Sequence, residues 1–331
     1  MDIDELYMRR CIQLARCGID GAAPNPMVGA VVVADGRIIG EGYHIRCGGP
    51  HAEVNAIRSV RDKDALQHAT IYVSLEPCAH YGKTPPCADL IIQNRIPRVV
   101  VGCQDPFAKV NGLGISRLRE AGIEVKVGVL EQECRELNAR FITFHSQQRP
   151  WITLKWAQSA DGFMDGKRES GMPPTRFSTR FTSTLVHRLR AEHKAILVGS
   201  GTALADNPTL TTRLWPGSNP MRLVVDRRGR LSDDLHLLDG SVETHIYQSE
   251  SLRDILTNLH QRGIQSLLVE GGSQLLQSFL REGLWDEARV ETAPFTLHEG
   301  IQAPHIDDSL RISERRIDGN QISLYRKHNN P

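Results

Sequence analysis

The sequence predicts a protein of two α/β domains, residues 1–147 and 148–331. Three observations carry that expectation. The chain is 331 residues long, enough for about two domains that each bury a core. Helix-period and strand-period segments alternate along it. A polar stretch ending in proline, His145 to Pro150, interrupts the pattern before it restarts, and reads as the linker. With 40% hydrophobic and 24% charged residues the composition is that of an ordinary soluble chain. Lys and Arg number 40 against 39 Asp and Glu, so binding that depends on a bulk positive field, as to nucleic acid, is not expected. No run of about 18 apolar residues predicts a membrane span. The acidic start, Met1-Asp2-Ile3-Asp4-Glu5, lacks the apolar core of a secretory signal. A cytoplasmic protein with no membrane partner is therefore expected.

In the first half, Glu5 to Gly18 has apolar residues at helical spacing, and Gly21 to Pro26 is a loop. Val28–Val33 and Arg37–Tyr43 flank Ala34-Asp35-Gly36 as a hairpin. His51–Val60 is helical, Ala69–Leu75 a strand of β-formers, Cys87–Asn94 a helix and Val99–Cys103 a buried strand. Leu113–Ala121 is a helix stopped by Gly122, Ile123–Leu130 a strand and Glu131–Phe144 one closing helix. The second half offers strands at Trp151–Trp156, Ala195–Val198, Arg222–Val225 and Ser266–Val269. Its helices are Thr182–Glu192, Ser251–Arg262 and Ser273–Glu282, and its C-terminus looks β-rich.

All seven cysteines precede residue 150, and an odd number is a poor basis for a disulfide framework. Cys11, Cys17, Cys103 and Cys134 read as small buried hydrophobes. Cys78 and Cys87 read differently. His51-Ala52-Glu53 opens a helix, a strand ends in Glu76-Pro77-Cys78, and Cys87 starts the next helix. One neutral imidazole and two thiolates give Zn²⁺ three ligands and leave a fourth position for water, which the metal acidifies into a hydroxide nucleophile. Helix N-termini favour the thiolate form. Glu53, too near His51 in the chain to share the metal without strain, is placed to carry protons from that water to a leaving amine. The competing reading is a structural zinc site with His80, between the two cysteines, as fourth ligand.

The order H-x-E then P-C resembles the zinc deaminases, with the departure that eight residues rather than two separate the cysteines. That long insertion, Pro-Cys-Ala-His-Tyr-Gly-Lys-Thr-Pro-Pro-Cys, resembles the bifunctional riboflavin-biosynthesis deaminase–reductases, as do Pro24-Asn25-Pro26-Met27-Val28-Gly29 and Gly42-Tyr43-His44. The likeness spans nearly the whole chain. It implies an N-terminal cytidine-deaminase-like three-layer domain with zinc at His51, Cys78 and Cys87 and Glu53 as proton shuttle. It also implies substrate contacts at Asn25, His44 and Lys83. A basic Lys83 suits a substrate carrying a ribose phosphate. Cys47 matches no ligand of the family and reads as a bystander.

No G-x-G-x-x-G follows a strand in the second half, so a Rossmann site is not expected. Val269-Glu270-Gly271-Gly272-Ser273 is a strand, a glycine pair and a helix start, a turn that lets backbone N–H groups approach a phosphate. With Lys155 to Gly162 and Gly199 to Pro208 it resembles the family's reductase half, whose fold is dihydrofolate-reductase-like. The resemblance implies NADPH reducing the ribose to a ribityl chain. It places the cofactor at Ala157, Thr202, Asp206, Gly272, Ser273, Gln274, Leu275, Leu276, Gln277 and Ser278. It places the substrate at Arg190, Leu210, Arg213 and Glu270, where the arginines suit a phosphate or a polar pyrimidine edge. The chain departs from the family at Arg176-Phe177-Ser178-Thr179, where relatives carry Trp-Ile-Thr or Trp-Ile-Ser, and in the preceding loop, Gly171 to Pro174. Either Phe177 takes over the packing of that tryptophan or Arg176 contacts an NADPH phosphate.

The leading expectation is thus a riboflavin-biosynthesis enzyme that deaminates a phosphoribosylamino-diaminopyrimidine and reduces its ribose, using zinc and NADPH, as a homo-oligomer by family likeness. Two alternatives stand beside it. One is an active deaminase with an impaired reductase half; the other is a nucleic-acid deaminase or a non-catalytic zinc-binding module.

Overall fold

The computed structural model describes residues 2–19, 21–79, 85–107, 110–169 and 172–327. The chain forms two compact units, residues 1–147 and 148–330.

The first unit contains α1 (Ile3–Arg16), β1 (Gly29–Ala34), β2 (Arg37–Tyr43), α2 (Ala52–Ser59), β3 (Thr70–Leu75), α3 (Cys87–Gln93) and β4 (Arg98–Cys103). It ends with α4 (Leu113–Glu120), β5 (Glu124–Val127), α5 (Glu131–Leu137) and α6 (Ala139–Gln147). The sheet order is β2-β1-β3-β4-β5, with β1 antiparallel to both neighbours and β3, β4 and β5 parallel. Asp35 and Gly36, both at positive φ, turn the β1–β2 hairpin. The alternating side chains of the strands feed two cores. Val32, Ile71, Val73, Val99 and Val101 pack with α2, α3 and α4; Val31, Val33, Tyr72 and Val100 pack with α1 and with Cys134 of α5. Three layers result, and both faces of the sheet are covered.

Four expectations need correction. The strand expected over Ile123–Leu130 is only β5, because Gly128 (φ 92) and Leu130 (φ 52) turn the chain out of extended geometry. The single closing helix is two, broken at Asn138 (φ −110, ψ 22). Its second part, α6, runs to Gln147 and takes in half of the expected linker. Cys17 is exposed rather than buried, since it caps α1 beyond the last inward position, Ala15.

The second unit contains β6 (Trp151–Gln158), β7 (Phe163–Gly166), α7 (Arg180–Ala191), β8 (Ala195–Gly199), α8 (Ser200–Asp206), β9 (Met221–Val225) and β10 (Thr244–Tyr247). It continues with α9 (Leu252–Gln261), β11 (Ser266–Glu270), α10 (Ser273–Arg281), β12 (Glu287–Thr292), β13 (Gly300–Gln302), β14 (Arg311–Ile317) and β15 (Asn320–Arg326). Eight strands lie in the order β10-β9-β8-β11-β6-β12-β15-β14. The first six run parallel, and the β14–β15 hairpin closes one edge antiparallel. Leu154, Trp156, Leu267 and Val269 pack with α9 and α10, while Ile196, Val198, Val224 and Leu268 form a core on the opposite face. The C-terminal ends of six parallel strands therefore line one edge, the usual site for a ligand in such a sheet. Among the described residues no helix is long and apolar enough to cross a membrane.

Candidate active sites

In the first unit the fold gathers His51, Cys78 and Cys87. His51 precedes α2, Cys78 follows β3, and Cys87 is the first residue of α3. His51 Nδ1 lies 3.5 Å from Cys78 Sγ and 3.3 Å from Cys87 Sγ. All three ligand atoms fall within 4.8 Å of one another. Tetrahedral zinc with ordinary Zn–N and Zn–S lengths puts such a nitrogen and sulfur about 3.6 Å apart, so the donor set fits the ion. The electrostatics agree. Cys78 is taken down to about 4, first by the bond from the Cys87 thiol and, against the opposing effect of burial, by His51 and the Cys87 backbone N–H. The Cys87 thiol is held up by that same partner. One sulfur thus favours the thiolate form, and a bound cation would favour it at both.

Glu53 is 3% exposed in the first turn of α2, and burial raises its carboxyl to about 7. A cation at the adjacent ligands would oppose that rise. Asn25 Nδ2 lies 3.2 Å from His44 Nε2, and the His44 ring stands edge-on to His51 at 5.4 Å. Burial lowers the His44 pKa, so this ring is neutral near pH 7. Three substrate candidates of the deaminase were expected; two sit beside the metal ligands, while Lys83, like His80, lies outside the described residues.

The sequence reading missed Glu76. Its carboxylate accepts backbone N–H bonds from Asp105 (3.3 Å), Gly112 (2.9 Å), Gly114 (2.9 Å) and Ile115 (3.2 Å). It thereby ties the start of α4 to the chain entering Cys78. The approach is close enough that a Cβ on Gly114 would lie 1.9 Å from the Pro77 carbonyl oxygen. The available signal was an acid wedged between a buried strand and the Pro-Cys pair.

In the second unit a cleft of about 1050 Å³ opens over the ends of β8, β9 and β11. Thr202 and Asp206 of α8 line it, as do Gly272 and Ser273 at the start of α10. So do Gln274, Leu275 and Ser278. Gly271 (φ 85) and Gly272 (φ 79) both take left-handed backbone that only glycine adopts without strain, leaving the turn bare toward the cleft. This glycine cradle at the N-terminus of a nine-residue helix fits the diphosphate of a dinucleotide. Asp206 is engaged by Arg168, 2.8 Å away.

Other candidates fall elsewhere. Leu276 is fully buried in the core, because the helical period of α10 turns positions 276 and 279 inward. Gln277 is exposed and outside the cleft lining, and so is Arg176. Phe177 is buried and stacks on Phe295 at 5.6 Å, away from that lining. The basic residues that do line the cleft are Arg227, Arg228 and Arg230 after β9, together with Arg168 and Arg281. The Asp226 carboxylate shapes the loop that presents the first three by accepting the N–H groups of Arg230 (2.7 Å) and Leu231 (3.1 Å).

Beside the cleft, under α7, the sheet carries a row of charges. Register places Glu270 on β11 next to Lys155 on β6, and Lys155 next to Arg289 on β12; two residues on, Ala157 pairs with Glu291. Arg190 of α7 bonds both Glu270 oxygens, at 2.9 and 2.7 Å, and the Thr211 carbonyl at 3.1 Å. Burial alone would raise Glu270, but the Arg190 guanidinium outweighs it and brings the carboxyl to about 2. Burial lowers Lys155, partly offset by Glu270 and Glu291. Ala157, near the end of β6 and half-buried, is outside the cleft lining. Lys155, Arg289 and Glu291 were not singled out from sequence, since charges inside a strand read as solvated faces. Of the remaining substrate candidates, Leu210 is buried, at φ 53, and Arg213 is exposed, bonding Thr211 Oγ1 at 3.1 Å and Thr209.

Comparison with known proteins matches a separate family model in each half of the chain. Residues 1–103 match the family model of the cytidine and deoxycytidylate deaminase zinc-binding region, and residues 150–316 match that of the RibD C-terminal domain. The chain is 39% identical to the riboflavin biosynthesis protein RibD of Aquifex aeolicus, over 96% of each protein. It is 37% identical to that of Escherichia coli over 88% of each. Among solved structures it resembles the diaminohydroxyphosphoribosylaminopyrimidine deaminase/5-amino-6-(5-phosphoribosylamino)uracil reductase of Thermotoga maritima. The TM-score is 0.85, with 38% identity and 98% of each chain covered. It also resembles RibD of Acinetobacter baumannii, with a TM-score of 0.86, 32% identity and 98% of each chain covered.

Proposed function

The chain belongs to the RibD family and is a bifunctional deaminase–reductase of riboflavin biosynthesis, and on that premise we propose its substrate and the residues that act. Residues 1–147 deaminate 2,5-diamino-6-(5-phosphoribosylamino)pyrimidin-4(3H)-one, and residues 148–331 reduce the ribose of the product to a ribityl chain. Zinc and NADPH are the cofactors. His51, Cys78 and Cys87 hold the zinc, whose Lewis acidity brings a water's pKa toward neutrality.

The observation that carries the deaminase reading is the buried Glu53 beside an imidazole nitrogen facing two sulfurs at 3.3 and 3.5 Å. Glu53 takes a proton from the attacking water and returns it to the departing amine, so the water oxygen replaces the amino group and ammonia leaves. Asn25 and the neutral His44 hold the pyrimidine edge, and Lys83 the phosphate. In the second unit the Gly271–Gly272 turn, Thr202, Asp206, Ser273 and Ser278 bind the cofactor, with Arg227, Arg228 and Arg230 offering charge to its phosphates. Arg190, Arg213 and Glu270 hold the substrate. Lys155, half-buried between Glu270 and Arg289 in the sheet, is placed to position the ribose or pass a proton to it.

Glu53→Gln tests the assignment. It should lower ammonia release by about 10²- to 10⁴-fold while the protein keeps its zinc. Loss of zinc on that substitution would make Glu53 a ligand instead. We further propose a small-molecule substrate without nucleic acid, a homo-oligomer and a cytoplasmic location. Near-neutral charge supports the first, and a salt-sensitive shift of tRNA in a gel would overturn it.

A further inference from the structure

We propose that Asn138, far from the metal ligands in sequence, is a positioning residue for deamination: it sets the loop that carries Asn25. The inference rests on the reading that Asn25 contacts the pyrimidine.

Asn138 sits at the break between α5 and α6 and is 3% exposed. Its carbonyl accepts the Ile142 N–H at 2.9 Å and so opens α6. An asparagine here could cap that helix with its side chain. Its side-chain amide instead reaches Met27: Oδ1 accepts the Met27 N–H at 2.8 Å, and Nδ2 donates to the Met27 carbonyl at 2.9 Å. An amide that exchanges both bonds with one residue imitates a neighbouring β-strand. Met27 has need of one, because it precedes β1, whose ladder begins at Gly29.

The clamp acts at one end of a short path. The Val28 carbonyl accepts the His44 N–H at 2.9 Å, and the Asn25 N–H donates to the Ala22 carbonyl at 2.9 Å. Asn25 Nδ2 then meets His44 Nε2 at 3.2 Å. His44 is fixed in turn by the Pro50 carbonyl, 3.1 Å from Nδ1, next to the ligand His51. The loop's other end is held by the Cys47 N–H, which donates to the Gly21 carbonyl at 2.9 Å; the bonds from Asn138 hold the end that leads into β1. Without them Met27 loses its only described lateral partner, and the Asn25 amide is free to shift by the ångström or so that positioning residues exist to prevent.

The experiment is a double-mutant cycle in the full zinc-loaded chain, with steady-state deamination kinetics for wild type, Asn25→Ala, Asn138→Ala and the pair. Each single variant should raise KM about tenfold or more, with a smaller fall in kcat. The pair should be no worse than Asn25→Ala alone, because Asn138 acts through Asn25. Bound zinc and NADPH-dependent reduction of the deaminated intermediate should be unchanged in all four. A merely structural role for Asn138 predicts the opposite pattern, a loss that multiplies with that of Asn25→Ala, and would overturn the inference. So would an unchanged KM in Asn138→Ala beside a raised one in Asn25→Ala. An unchanged KM in Asn25→Ala overturns the underlying reading, and this inference with it. If Asn138→Ala fails to retain zinc, Asn138→Asp, which keeps the acceptor for Met27 and removes the donor, carries the same cycle under the same criteria.

Discussion

At the scale of single residues, two buried carboxylates do contrasting jobs. Glu76 satisfies four backbone N–H groups that no other described acceptor takes, and it joins the start of α4 to the chain entering Cys78. Glu76→Ala leaves those donors buried and unpaired, at about 1–3 kcal/mol for each one that stays dry. Thermal unfolding of the first unit should shift down by several degrees, and a zinc chelator should strip the variant at lower concentration than wild type. Glu270 works through charge. Its folded pKa, about 2, lies below the ordinary 4.5, so its ion pair with Arg190 stabilises the second unit fully above that ordinary value. The contribution fades as pH falls from about 4.5 toward 2. Acid titration followed by tryptophan fluorescence should show that Glu270→Gln is less stable than wild type at neutral pH and that the gap narrows below pH 4.5. A gap that stays constant to pH 2 would contradict the assignment.

At the scale of elements, function collects where strands end. β3 delivers Cys78, two helix starts deliver His51 and Cys87, and the ends of β8, β9 and β11 border the cleft proposed for the cofactor. The loop after β9 makes a measurable difference there. Arg227→Ala together with Arg228→Ala should weaken NADPH binding at least tenfold in fluorescence titration and leave NADH binding, which lacks the 2′-phosphate, nearly unchanged. Equal weakening of both would assign these arginines to the shared diphosphate. Much of this was legible from local pattern. The H-x-E and Pro-Cys segments, and the Val-Glu-Gly-Gly turn, each lie at a strand or helix end that periodicity locates. What escaped depends on tertiary partners. Asn138 breaks a helix for the sake of Met27, more than a hundred residues earlier, and nothing in the spacing of Glu131–Phe144 signals it. Lys155 and Arg289 sit inside strands, and only the register across β11, β6 and β12 brings them into one row with Glu270. Within α10 the glycine turn is readable, but of the run from Gly272 to Ser278 the helical period sends Leu276 to the core. The shortest strands that escaped, β7, β10 and β13, are too brief to show a period.

At the scale of the whole molecule, a near-zero net charge suits an enzyme whose small anionic substrate and cofactor need a few placed bases rather than a basic surface. Each unit has its own sheet and cores, and each holds one set of chemistry. A chelator should therefore abolish ammonia release and leave NADPH binding intact, measured on the same sample by ammonia assay and by fluorescence titration. The central claim, two successive reactions on one chain, is tested most directly by giving the purified zinc-loaded protein the phosphoribosylamino-diaminopyrimidine and NADPH while following ammonia and the absorbance of NADPH together. Ammonia should appear first, and NADPH should then be consumed in equal amount, with neither signal from chelator-treated protein. Ammonia without NADPH oxidation would confine the activity to the first unit, and NADPH oxidation without prior ammonia release would contradict the order of reactions set out for the two sites.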